Sequence, residues 1–128
     1  MPAVALVVDD SMLIRHTVCR FFEERGFDVE SASNGMDALE ILKRLHPDII
    51  VTDMDMPKMS GSELIAALKT QPGTAKIPVV IVAGKQTGFE QKKQGADFAI
   101  FKDIDIEDQL AAAVEAVLGS SKKKAAGK

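Results

Sequence analysis

Apolar residues gather along the chain in five short blocks, at 4–8, 27–31, 49–51, 79–82 and 98–101, separated by longer stretches whose apolar positions fall at helical spacing. The first, third and fourth blocks are almost continuously apolar, which is the pattern of strands buried on both faces of a parallel sheet. Five helices are predicted between and after them. The first, 12–25, lines up Ile14, Val18, Phe21 and Phe22 and stops at Gly26, a residue free to take the left-handed conformation that ends helices. The second, 35–45, follows Asn34 as an N-cap, turns Ala38, Ile41, Leu42 and Leu45 inward and halts before Pro47. The third opens on Ser60-Gly61-Ser62-Glu63, a capping-box spacing, buries Leu64, Ile65 and Leu68, and ends near Gln71-Pro72-Gly73. The fourth has a similar opening, Thr87-Gly88-Phe89-Glu90, but a single large apolar anchor, Phe89, before Gly95. So little burial places it at the low-stability end of the molecule. The fifth, 106–118, spaces Ile106, Leu110, Val114, Val117 and Leu118 along one face.

Strand–helix pairs joined by short turns predict an α/β fold, a doubly wound five-stranded parallel sheet with right-handed crossovers and helices on both faces. A chain of 128 residues is expected to form one domain, 1–118, followed by a flexible basic tail, 119–128. That tail holds four lysines, so the net charge of −3 conceals a body with 12 basic and 19 acidic residues, or −7. An acidic body argues against direct nucleic-acid binding, which needs clustered Lys and Arg. No apolar run approaches the roughly 20 residues of a membrane span, and the first strand meets Asp9-Asp10 too soon for a signal peptide. No membrane insertion is expected. A lone cysteine, Cys19, excludes an intramolecular disulfide and fits a cytoplasmic location.

Asp9 and Asp10 end the first predicted strand, Asp53 ends the third and Lys102 ends the fifth, so all four meet at one sheet edge, where such folds bind their ligands. Close carboxylates repel by about 4 kcal/mol per pair at an effective dielectric near 20. A hard divalent cation relieves them, and Mg²⁺ suits a site of one or two carboxylates, waters and a phosphate oxygen.

These residues carry a resemblance. Val7-Val8-Asp9-Asp10-Ser11, the run from Val51 through Asp53-Met54-Asp55-Met56-Pro57-Lys58-Met59-Ser60 to Gly61, Pro78-Val79-Val80-Ile81-Val82, Gly95-Ala96-Asp97 and Phe101-Lys102 together resemble the receiver domain of two-component response regulators, over residues 3 to 118. The resemblance implies a flavodoxin-like (βα)5 fold and Mg²⁺-dependent phosphoryl transfer from a histidine kinase or phosphotransfer protein. Asp53 would be the phospho-acceptor, Asp9, Asp10, Asp53 and the backbone carbonyl of Asp55 would hold the metal, and Lys102 would pair with Asp53 and then with the phosphoryl group. A downstream protein would dock on the face formed by the fourth helix, fifth strand and fifth helix. With no output domain after residue 118, such a chain would act through another protein or belong to a longer product. As a phospho-accepting signalling protein it would not be an enzyme in the usual sense.

Three positions depart from the family pattern. Ala83 stands where the family has a Thr or Ser hydroxyl, Ala99 where it has the aromatic switch residue, and Asp103 where Pro usually follows the lysine. A phosphorylatable domain with a weakened switch is one consequence, and a phosphorylation-independent binding module (a pseudo-receiver) is another. Asp53-Met54-Asp55 also has the Asp-x-Asp form of a haloacid-dehalogenase-like phosphohydrolase, although that motif belongs on a first strand and lies here on the third. His16 and His46 have the surroundings of ordinary helix residues, and Cys19 those of a small hydrophobe.

Overall fold

The computed structural model describes residues 3–54, 56, 59–84, 97–102 and 105–126, the last eight of these by their backbone path. Five strands form one parallel sheet: β1 Val4–Val8, β2 Asp28–Ala32, β3 Ile49–Asp53, β4 Val79–Ala83 and β5 Phe98–Phe101, in the order β2-β1-β3-β4-β5. β3 ends at Asp53, so the acidic residue expected at the strand's end is its last residue. The helices are α1 Met12–Glu23, α2 Gly35–Leu42, α3 Gly61–Lys69 and a C-terminal helix Ile106–Ala126. The expected fourth helix, from Thr87 to before Gly95, lies outside the described residues.

Alternation along the buried strands divides the core in two. Ala5, Val7, Ile49, Val51, Val80, Val82 and Ile100 face α1 and the C-terminal helix, meeting Val18, Phe21, Phe22, Leu110 and Ala113. Leu6, Val8, Ile50, Val79, Ile81 and Ala83 face α2 and α3, meeting Ala38, Leu64, Ile65 and Leu68. The winding is therefore double, as the near-continuous apolar strands require.

Caps hold the helix starts as their sequences predict. Asn34 accepts from the Asp37 amide at 2.9 Å, and Ser60 and Glu63 form a complete capping box. Gly26 has φ +86°, the left-handed conformation that turns the chain after α1. Helix ends differ from expectation, and α1 itself stops at Glu23, short of 25. α2 stops at Leu42 instead of Leu45, because Lys43 and Arg44 donate to Glu40 and Ile41 in tighter i→i−3 bonds that close the helix early. The C-terminal helix continues through 119–126, past its expected end at 118. Gly119 lowers helix propensity without ending the helix, and the Lys and Ala residues that follow favour it.

One feature of the strand starts escapes any sequence pattern. Asp48, just before β3, donates its amide to Val4 O at 2.7 Å and accepts from Val4 N–H at 2.8 Å through its carboxylate. Asp97, just before β5, treats Val79 of β4 in the same way, at 2.8 Å for both bonds. Each aspartate thus pins the first residue of the neighbouring strand. Among the described residues no helix is long and apolar enough to cross a membrane.

Candidate functional site

The strand order reverses between β1 and β3, whose register pairs Val8 with Thr52 and so sets Asp9 beside Asp53 at the carboxyl edge. Asp9 and Asp53 are 2% and 3% exposed, whereas Asp10 faces solvent. One carboxylate oxygen from each of the three lies within 4.8 Å of the others. Lys102, at the end of β5, reaches across the end of β4 to place Nζ 3.2 Å from Asp53 Oδ1 and 3.8 Å from Asp9 Oδ2. The sequence places Asp9, Asp10, Asp53 and Lys102 at one edge, and the fold brings all four together. Asp55, the fifth candidate, lies outside the described residues, as does Asp103.

Asp9 is hydrogen-bonded on one side only. Its Oδ1 accepts from the Ser11 amide at 2.8 Å, while its Oδ2 is buried and receives no hydrogen bond. Burial is the main reason the Asp9 carboxyl titrates above the usual range, reinforced by the Asp10 charge and opposed by the Ser11 amide and Lys102. Asp53 is pushed up to about 7, first by burial and then by the Asp9 charge, against the pull of Lys102. A single ammonium therefore does not balance the cluster. The donor set is all hard carboxylate oxygen, and the buried Asp9 Oδ2 takes no hydrogen bond and meets only the Lys102 ammonium at 3.8 Å, so the residues present fit a small divalent cation.

The acceptor strand is fixed from behind. Met54 N–H donates to Val82 O at 2.9 Å, and Gly61 N–H donates to Met54 O at 2.8 Å, which seats the start of α3 on the backbone after Asp53. A Cβ at Gly61 would run into the Asp53 carbonyl oxygen. Ser62 Oγ adds a contact to Met54 Sδ at 3.3 Å.

Two contributors were not evident from sequence. Arg15, one turn into α1, donates to the Asp9 carbonyl at 2.7 Å and braces the acidic loop. Gln109, on the C-terminal helix, bonds both backbone polar groups of Phe101, next to Lys102. The signal for Arg15 is its position five residues after an acidic pair. Gln109 could have been noticed as a polar residue beside Leu110 at the start of an otherwise apolar helix face.

The departures from the family pattern also have places. Ala83 ends β4 fully buried, and Ala99, half-buried on β5, lies on the same face and pairs in register with Ile81. Both methyl groups belong to the α2/α3 side of the core.

The sequence matches the Response regulator receiver domain family over residues 5–115. It is 33% identical over 110 residues to Protein PilG of Pseudomonas aeruginosa, covering 84% of this chain and 82% of that protein. It is 32% identical over 116 residues to Protein PilH of the same organism, covering 88% and 95%. Some relatives are longer: the chain spans 47% of the DNA-binding dual master transcriptional regulator RpaA of Synechocystis, at 32% identity over 87% of its own length. Among solved structures, the chemotaxis response regulator CheY4 of Vibrio cholerae superposes with a TM-score of 0.84 at 29% identity, covering 92% of this chain and 100% of that one. The order of the strands, the acidic edge with its facing lysine and these matches agree: the chain belongs to the response regulator receiver domain family of two-component signalling.

Proposed function

We propose that this receiver domain accepts a phosphoryl group on Asp53 from the phosphohistidine of a histidine kinase or phosphotransfer protein, with Mg²⁺ at the acidic edge. The observation that carries this reading is a buried carboxylate, Asp53, flanked by a second buried carboxylate with an orphaned oxygen and by one ammonium at 3.2 Å. An Asp53 oxygen bonds to phosphorus as the bond from phosphorus to the donor nitrogen breaks and its electron pair leaves with the imidazole. Such a loose in-line transfer asks a site mainly for alignment and charge neutralisation. Asp9, Asp10, Asp53 and the Asp55 carbonyl would hold Mg²⁺, which when bound would supply the positive charge that the cluster lacks. Lys102 holds Asp53 and then bonds a phosphoryl oxygen. Met12 and Leu13, exposed at the start of α1 beside the acidic pair, offer apolar surface to the donor protein. The work belongs to the cytoplasm, where such kinases present their phosphohistidines.

The response to phosphorylation is atypical in this reading. Ala83 has no hydroxyl to bond a phosphoryl oxygen, a contact of about 1.5 to 3 kcal/mol, and Ala99 has no ring to follow it. Any output passes to a protein bound on the face of the expected fourth helix, β5 and the C-terminal helix. The same two alanines favour the second reading, a binding module that works without phosphorylation. The phosphohydrolase reading has little behind it, since Asp53-Met54-Asp55 lies on a third strand.

Intact-mass measurement with acetyl phosphate and Mg²⁺ tests the proposal. A single added phosphoryl group, dependent on Mg²⁺ and absent in Asp53→Asn, is the expected result. No incorporation alongside demonstrated Mg²⁺ binding would overturn it in favour of the phosphorylation-independent module.

A further inference from the structure

Among the described residues β5 is the edge strand of the sheet, and no strand neighbours its outer side at Phe101. One side chain takes that place. Gln109 Oε1 accepts from Phe101 N–H at 2.9 Å, and its Nε2 donates to Phe101 O at 2.7 Å, the donor–acceptor pair a sixth strand would offer. On the inner side, Lys102 N–H donates to Ala83 O at 2.8 Å. The peptide unit joining Phe101 to Lys102 is therefore held from both sides, by Gln109 through its carbonyl and by Ala83 through its N–H. Gln109 is tied to its own helix by a bond from Nε2 to Asp105 O at 3.2 Å, and Asp105 caps that helix by accepting from the Glu107 amide at 3.0 Å.

Lys102 needs such an anchor. It is a long, flexible side chain, 27% exposed, that must cross the end of β4 to bring its ammonium to Asp53 and Asp9. Freedom at its Cα would be amplified at Nζ, and small misplacements of a charge at a reacting group cost rate steeply. Gln109 grips the residue before Lys102 from the outer edge through both of its backbone polar groups. Its neighbour Leu110 is fully buried and docks the helix on the core, so docking and gripping fall to different residues.

We propose that Gln109 is a positioning residue for Lys102, fixing the strand end that presents the ammonium to the acceptor carboxylate and coupling the first turns of the C-terminal helix to the site. This rests on the reading of Asp53 as phospho-acceptor. Gln109→Leu keeps the size and helix propensity and removes both bonds, while Gln109→Glu keeps an acceptor for Phe101 N–H and sets a carboxylate against Phe101 O.

The first test is the rate of Asp53 phosphorylation by acetyl phosphate at saturating Mg²⁺, with Mg²⁺ affinity measured separately. Both variants are expected to lower the maximal rate about fivefold to tenfold with Mg²⁺ affinity essentially unchanged, since Gln109 touches no carboxylate of the cluster. A maximal rate equal to that of the native chain, or a parallel fall in rate and Mg²⁺ affinity, would overturn the proposal. The second test stands even if the native chain takes no phosphoryl group. The NMR signal of the Lys102 ε-methylene is expected to move on Asp53→Asn in the native background and to move much less in the Gln109→Leu background. An equal movement in both would show that Lys102 finds Asp53 without Gln109 and end the proposal.

Discussion

The two edges of the sheet use the same residue type to opposite ends. At the amino edge, Asp48 and Asp97 each satisfy the first amide of a neighbouring strand, and their carboxylates take bonds that the backbone would otherwise leave open. At the carboxyl edge, Asp9 and Asp53 are buried side by side, one oxygen of Asp9 has no donor, and both carboxyls are pushed above their usual range. The amino edge contributes stability, whereas the carboxyl edge stores an unfavourable charge arrangement that a cation can relieve. Function concentrates where the fold leaves electrostatics unsettled.

The comparison is broken most completely by Asp53→Asn. It should abolish phosphoryl incorporation, read by intact mass, while raising the thermal midpoint of the metal-free protein, because one of two facing charges is gone. Gly61→Ala comes next. A methyl group driven against the Asp53 carbonyl must push α3 off the acceptor strand, at a cost of about 2 to 3 kcal/mol by denaturant unfolding, and phosphorylation should fall with it.

Stability should also depend on pH through this edge. The Asp53 carboxyl has an ordinary value of 3.8 and about 7 in the fold, so folding favours its neutral form. That contribution is complete below the ordinary value and is lost as pH rises through about 7, and Asp9 shifts in the same direction. The metal-free protein should therefore lose on the order of a few kcal/mol of this contribution between pH 4 and pH 8. Mg²⁺ favours the ionised carboxylates and should restore stability at the alkaline end, as thermal melts with and without Mg²⁺ would show. A pH profile unaffected by Mg²⁺ would mean that the carboxyl edge is not the cation site.

The smallest effect belongs to the other edge. Asp97→Ala or Asp48→Ala should cost about 1 to 2 kcal/mol by leaving a strand amide unpaired, with the rate of phosphorylation unchanged. A large loss of phosphorylation in either would erase the distinction between the two edges.

Much of this was legible in the residues. Near-continuous apolar blocks called for a sheet covered on both faces, and Ser60 with Glu63 announced the start of α3 down to its reciprocal bonds. Asp9, Asp10, Asp53 and Lys102 were legible because each lies at or just past a strand end, and parallel strands bring their ends to one edge. Arg15, Gln109, Asp48 and Asp97 were not, since each works by a bond to a backbone group far from it in sequence or across a turn, and a backbone group carries no mark in the sequence. The last helix also runs past its expected end at 118. Gly119 weakens a helix by propensity alone, and propensity does not determine where a helix stops.

By itself, then, the amino-acid sequence determined which residues are strands, which faces are buried and which charged groups share an edge, because those follow from periodicity and from the topology that short right-handed crossovers allow. Tertiary structure alone decided how deeply Asp9 and Asp53 are buried, which oxygen lacks a donor and how Lys102 is aimed. Those depend on distances of a few ångströms between segments far apart in the chain, and charge interactions change most steeply over such distances.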